Sequence, residues 1–161
     1  MGRRAWIGIV VVVVVVAGGV VLAGLALGGG NDPSSTEDYQ AAVVQARDRT
    51  DYALARIGQS GSPEELVTRI DEASALVSAV AGDLDDVEAP SEVSSEADKL
   101  VRTLRALSDE LAGTAATLED PAFGGVFRGL NSLSFGQWNA VNTALLKLRK
   151  KGIQVEQLAR H

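Results

Sequence analysis

The sequence predicts an all-α protein: a single N-terminal transmembrane helix followed by an up-down-up-down four-helix bundle. Three observations predict it. Ala5–Leu27 is a run of 23 residues without a charged or strongly polar side chain. Beyond it, apolar residues recur at alternating spacings of four and three, the period of helices packed nearly parallel to their neighbours. The same region shows no strand-like alternation of apolar and polar residues.

The apolar run would make about 34 Å of helix, enough to cross a hydrocarbon core of about 30 Å. Its centre is Val10–Val16, seven consecutive valines. In water such β-branched residues favour strands, but in lipid a helix satisfies every backbone group internally. Arg3 and Arg4 precede the run, and Asp32, Glu37 and Asp38 follow it. By the positive-inside rule, residues 1–4 form a cytoplasmic stub and the domain after the span lies outside. The core exceeds the roughly 7–15 residues of a cleaved signal peptide. An uncleaved anchor is therefore expected, with Ala26-Leu27-Gly28 the one passable cleavage site. Gly19 with Ala23, and Gly24 with Gly28, have the small-xxx-small spacing through which membrane helices pair, so a homodimer through this face is conceivable.

Residues 28–34 read as a juxtamembrane linker, residues 35–152 as the bundle and residues 153–161 as a C-terminal tail. Helix 1 is expected from Ser35 to Ile57, with Ser34 and Glu37 fitting a capping box and Ser35 and Thr36 as rival caps. Its seam is Tyr39, Val43, Ala46, Thr50, Ala53 and Ile57. Helix 2 opens on Ser62, Pro63 and Glu65, the strongest local start signal in the chain. Its seam is Leu66, Ile70, Ala73, Val77, Val80, Leu84 and Val87, and Gly82 is a possible early stop. Helix 3, about Glu92 to Leu118, lines up Val93, Ala97, Leu100, Leu104, Leu107, Leu111, Thr114 and Leu118 before Asp120-Pro121. Helix 4, Phe135 to Lys151, is expected to start with a Ser134–Gln137 capping box and a Leu133–Trp138 staple. Trp138, Val141, Leu145 and Leu148 face inward, and Gly152 with Ile153 suggests a Schellman ending. Short connections make helices 1, 2 and 3 antiparallel neighbours, while the third connection, about 119–133, is longer.

Composition narrows the function. The chain has 161 residues, net charge −6, no cysteine and one histidine, His161 at the very end. That excludes a disulfide scaffold and a zinc-thiolate site and argues against histidine-based catalysis and a multi-histidine metal site. Both charges of the first 30 residues are basic, so the outer domain is more acidic than the whole chain, which argues against nucleic acid as a partner. Asp83, Asp85, Asp86 and Glu88 lack the spacing of a calcium loop and read as a solvated helix end. No nucleophile elbow, Ser-x-x-Lys pair or phosphate loop is present. Asn139 and Asn142 flank Val141 and are expected at the bundle boundary, bonded to solvent or a neighbouring helix, with a polar ligand as the alternative.

No enzyme, cofactor or metal site is therefore expected. The expected function is that of a non-enzymatic envelope protein at the plasma membrane, binding a protein or cell-wall partner. The alternative is a bundle that holds a small apolar ligand or senses one. The predominance of arginine over lysine, with many Ala, Val, Gly and Asp residues, resembles the composition of proteins from high-GC bacteria. Two surfaces stand out. Phe123, Phe127 and Arg128 combine aromatic and guanidinium groups with nearby glycines and form a candidate partner-binding surface. Lys147, Arg149, Lys150 and Lys151 gather at the end of helix 4 and form a candidate membrane-surface contact.

Overall fold

Local capping decides where the first two helices start. The computed structural model describes residues 35–119 and 135–160, all within one unit, Asp32–His161. Among these residues there are four α-helices and no strand: α1 (Thr36–Ile57), α2 (Pro63–Asp85), α3 (Ser94–Glu119) and α4 (Gly136–Lys150). The apolar run Ala5–Leu27, its Gly19, Ala23, Gly24 and Gly28, and the linker 28–34 lie outside the described residues. Among those described, no helix is long and apolar enough to cross a membrane.

The cap of α1 is Ser35. Its hydroxyl accepts from the Asp38 amide at 3.1 Å and donates to the Asp38 carboxylate at 2.8 Å. This pair takes the place of the expected Ser34–Glu37 box. Ser62 caps α2 by accepting from the Glu65 amide at 3.1 Å. Glu65 reaches back to the Gly61 amide at 2.7 Å, one residue earlier than a standard box would. Gly82 stays inside α2, because the seam residues Val80, Ala81 and Leu84 around it are buried. Helix α3 begins two residues later than expected, after a turn in which the Val93 amide bonds to the Pro90 carbonyl at 2.9 Å.

The seams bury as their spacing requires. All six seam positions named for helix 1 are buried, joined by Leu54. In α3 Leu100, Leu104, Leu107 and Leu111 are at most 2% exposed. Burial of such side chains stabilises by about 1.5–3 kcal/mol each. Thr114 and Leu118, expected on the same face, are only half-buried. Val101, Ser108 and Ala115 are buried instead, as the face drifts around a straight helix of 3.6 residues per turn.

Helix packing is sequential: α1 on α2, α2 on α3, α3 on α4. Cross-pairs set each neighbour antiparallel. Arg49 pairs with Asp83 and Arg56 with Glu72 between α1 and α2. Ser74 and Ser108 bond across α2 and α3, and Arg105 pairs with Asp85. Glu110 meets the first amides of α4. Helices α1 and α4, by contrast, nowhere bring their Cα atoms within 8 Å.

Residues 153–160 close that fourth side. Assigned to a tail by the sequence, they run as an irregular strap in which Ile153, Val155 and Leu158 are at most 6% exposed. The strap leaves α4 through the expected Schellman ending. Gly152 sits at φ +101°, the Ile153 amide bonds to the Leu148 carbonyl at 3.2 Å, and the Gly152 amide bonds to that of Arg149 at 3.1 Å.

Candidate functional site: the α1–α4 edge and its basic end

Helix α4 starts without a side-chain cap of its own, since Phe135 occupies the cap position. Glu110 of α3 satisfies the first amides of α4. Its carboxylate accepts from the Gly136 amide at 2.8 Å and the Gln137 amide at 2.9 Å. A carboxylate also complements the positive end of the helix dipole. Ser134 and Leu133 lie outside the described residues, and so does the staple that would pair Leu133 with Trp138.

Five side chains hold the strap by its main chain: Asn142, Gln40, Asp51, Trp138 and Arg47, whose Nε donates to the Glu156 carbonyl at 3.5 Å. Asn142 of α4, 4% exposed, accepts from the Leu158 amide at 2.7 Å and donates to the Leu158 carbonyl at 3.5 Å. The expectation of a solvent or helix partner for Asn142 is thus corrected: its partner is the strap. Gln40 of α1 accepts from the Gln154 amide at 2.8 Å, and Asp51 accepts from the Ala159 amide at 2.7 Å. The strap thus runs parallel to α1 and antiparallel to α4. Arg47 pairs with Glu156 at 2.9 Å. The Trp138 indole donates to the Ala159 carbonyl at 3.3 Å, and the Arg160 guanidinium lies over its ring at 5.7 Å. Trp138 is therefore half-buried against the strap rather than deep in the seam. Among the described residues, main-chain atoms of 154–160 bond to no other main chain.

The strap does not fill the edge. A surface depression of about 420 Å³ remains beside it, lined by Arg47 and Arg149, by the carboxylates Asp48 and Glu156, and by Val44, Gln154 and Val155. Asp48 and Glu156 both pair with Arg47. Arg149 makes no ion pair among the described residues.

At the end of the unit where α1 begins, α3 and α4 carry a group of cations, with Lys99 and Lys147 facing each other across the two helices and Arg149 on the side of α1. Lys147, Arg149, Lys150 and Lys151 are all exposed, as is Arg102, and Lys99 is half-buried. None makes an ion pair among the described residues, whereas Arg47, Arg49, Arg56, Arg69 and Arg105 all do. The neighbouring Lys147 ammonium, above all, holds Lys99 below the usual lysine range, with desolvation and Arg102 adding to it. The end as a whole is mixed, since Glu37 and Asp38 open α1 and Asp86 caps the end of α2.

Tyr39 is buried at this same end. Its hydroxyl has no hydrogen-bond partner among the described residues. Desolvation, then the charge of Asp98, pushes its pKa up to about 12.

Of the candidate residues named from sequence, Phe123, Phe127 and Arg128 lie outside the described residues. The acidic cluster of α2 is partly neutralised, Asp83 by Arg49 and Asp85 by Arg105. Among the described residues no group of three or more potential ligands is placed to hold a metal ion. The strap contacts were missed by sequence reasoning. The available signal was the spacing of Ile153, Val155 and Leu158 directly after a helix-ending glycine.

No family model, curated protein or solved structure matches this chain.

Proposed function

We propose that this is a non-enzymatic, membrane-anchored protein of the bacterial envelope, whose helical domain lies outside the plasma membrane and binds a protein or wall-polymer partner. The observation that carries the reading is the set of cations, without an ion pair among the described residues, at the end of the unit where α1 begins. The Ala5–Leu27 run ends only seven residues before Ser35. Seven residues span at most about 25 Å. A domain tethered so closely keeps its α1-start end near the lipid headgroups, where each cation contributes about 1 kcal/mol against an anionic surface. Lys147, Arg149, Lys150 and Lys151 are then the membrane-surface contact, Arg149 at its margin where it also lines the depression beside α1, and the sides of the domain are left for a partner. Two membrane helices pairing through Gly19, Ala23, Gly24 and Gly28 fit the same reading.

The chain has no cysteine, so one introduced thiol reports alone. Gln59, exposed in the α1–α2 turn, is the better site, because the Ser60 hydroxyl is bonded to the Ile57 carbonyl at 2.8 Å. Gln59→Cys is expected to react with a membrane-impermeant maleimide in intact cells. Protection until lysis overturns the location. In anionic vesicles, a fluorophore at Lys151→Cys is expected to transfer energy to a headgroup acceptor more strongly than one at Gln59→Cys. Equal transfer from the two overturns the orientation.

A further inference from the structure

We propose that the groove between α1 and α4 is a receptor site for an extended, acidic peptide segment of a partner protein, which residues 153–160 occupy as a built-in competitor. The recognition chemistry is directed at main chain. Asn142 takes both the amide and the carbonyl of one residue, and Gln40 and Asp51 take one amide each. None of these bonds depends on the identity of the strap's side chains, so another extended segment in this register satisfies them equally. Side-chain specificity comes from the buried positions of Ile153, Val155 and Leu158 and from Arg47 facing Glu156.

The strap is also built to leave. It follows a glycine at positive φ, and residues 154–160 break no main-chain bond of a helix when they depart. A segment tethered in cis competes at an effective concentration in the millimolar range, so an incoming segment needs a contact that the strap lacks. The depression of about 420 Å³ supplies one: Arg149 borders it, next to Gln154, without an ion pair among the described residues. Since Gln154 and Arg149 line the same depression, an acidic side chain at the position of Gln154 is expected to pair with that guanidinium. The proposal rests on the partner-binding reading above but not on its membrane location. Labelling at Gln59 reports the location and the experiment below reports the groove, so either can fail alone.

The test uses the full chain in detergent micelles and a fluorescent peptide with the sequence of residues 152–160 carrying Gln154→Glu. Amides of Gln154, Leu158 and Ala159 are expected to exchange with deuterium at least about 100-fold faster than that of Leu104, through opening of the strap alone. Exchange at the same rate makes the strap part of the global core and overturns the proposal. The peptide is expected to bind saturably, and at least about tenfold tighter to a chain whose strap carries Val155→Asp and Leu158→Asp. Asn142→Ala in that chain is expected to weaken binding at least about tenfold, and the peptide with Gln154 restored to bind more weakly than the acidic one. Absence of binding overturns the proposal. So does loss of helical circular dichroism in the strap variant, since a groove that cannot exist without its strap receives nothing else. Equal binding of the two peptides removes the acidic partner. A concentration-dependent dimer that the peptide dissociates assigns the groove to a second copy instead.

Discussion

The α2–α3 seam and the α1–α4 edge solve the same problem in different ways. Along α2 and α3, leucine, isoleucine and valine interleave, and Ser74 and Ser108 each donate to the other's carbonyl at 2.9 and 3.0 Å. Along α1 and α4 the helices stand apart, and an irregular segment fills the space with three apolar side chains and bonds from side chain to main chain. The seam is cooperative, because its loss unravels two helices together. The edge is modular, because its filler is held by side chains of α1 and α4 and shares no main-chain bond with a helix among the described residues. A bundle closed on three sides by helices and on the fourth by a strap can be stable and still own a groove.

The largest expected effect tests the seam. Leu104, 2% exposed at the centre of α3, is expected to lose about 2–5 kcal/mol on Leu104→Ala. Urea unfolding of the full chain in micelles, followed by helical circular dichroism, measures it. A loss under about 0.5 kcal/mol would place the core elsewhere.

On the edge, Asn142→Ala leaves the Leu158 amide and carbonyl buried without partners and is expected to destabilise by about 2–3 kcal/mol. The contrast with Leu104→Ala lies in where the loss appears. Amide exchange is expected to accelerate at residues 154–159 and to remain slow in α2 and α3. Uniform acceleration would erase the distinction between seam and edge.

A smaller effect is expected where the two regions meet. Glu110 projects from the seam helix α3 and caps α4. Glu110→Ala is expected to cost about 1–2 kcal/mol, and Glu110→Gln less, since the amide oxygen still accepts one bond. Fraying confined to the first turn of α4, read by exchange at Gly136 and Gln137, is the signature.

The smallest effect concerns Tyr39. Its hydroxyl, raised from 10.0 to about 12, favours the neutral form in the folded state. The stability this supplies is complete below pH 10 and is lost as the pH rises through about 12. Tyr39→Phe is expected to flatten that alkaline loss and, below pH 10, to leave stability unchanged or raise it by up to about 1 kcal/mol. A clear loss near neutral pH would reveal a hydrogen bond to the hydroxyl.

Much of the bundle was legible because its signals are local or periodic. Ser62, Pro63 and Glu65 mark the start of α2 through atoms within four residues of one another. The four-three spacing of α1 named six buried positions, Thr50 among them, whose hydroxyl bonds to its own helix at the Ala46 carbonyl, 2.8 Å away. Gly152 and Ile153 announced the end of α4 in the same way. The cap of α4 was not legible, because its acceptor, Glu110, stands 26 residues upstream and nothing in the local pattern marks it. The cation group was half legible. Lys147, Arg149, Lys150 and Lys151 are adjacent in sequence, but Lys99 and Arg102 join them only through the pairing of α3 with α4.

The sequence by itself determined the helices, their order and most of the faces they bury, since periodicity and capping depend on groups only a few residues apart. Tertiary structure alone decided the fourth side. Whether α1 meets α4 directly or through a strap depends on the space left once three pairs of helices have packed. Residues 153–160 carry no sustained helical or strand period; the spacing of Ile153, Val155 and Leu158 marks them as apolar without saying which helices they cover. Their amides bond to Gln40 and Asp51, more than 100 residues away in the chain. Only the packed helices bring those acceptors beside Asn142, and only there does an irregular segment find a partner for its buried main chain.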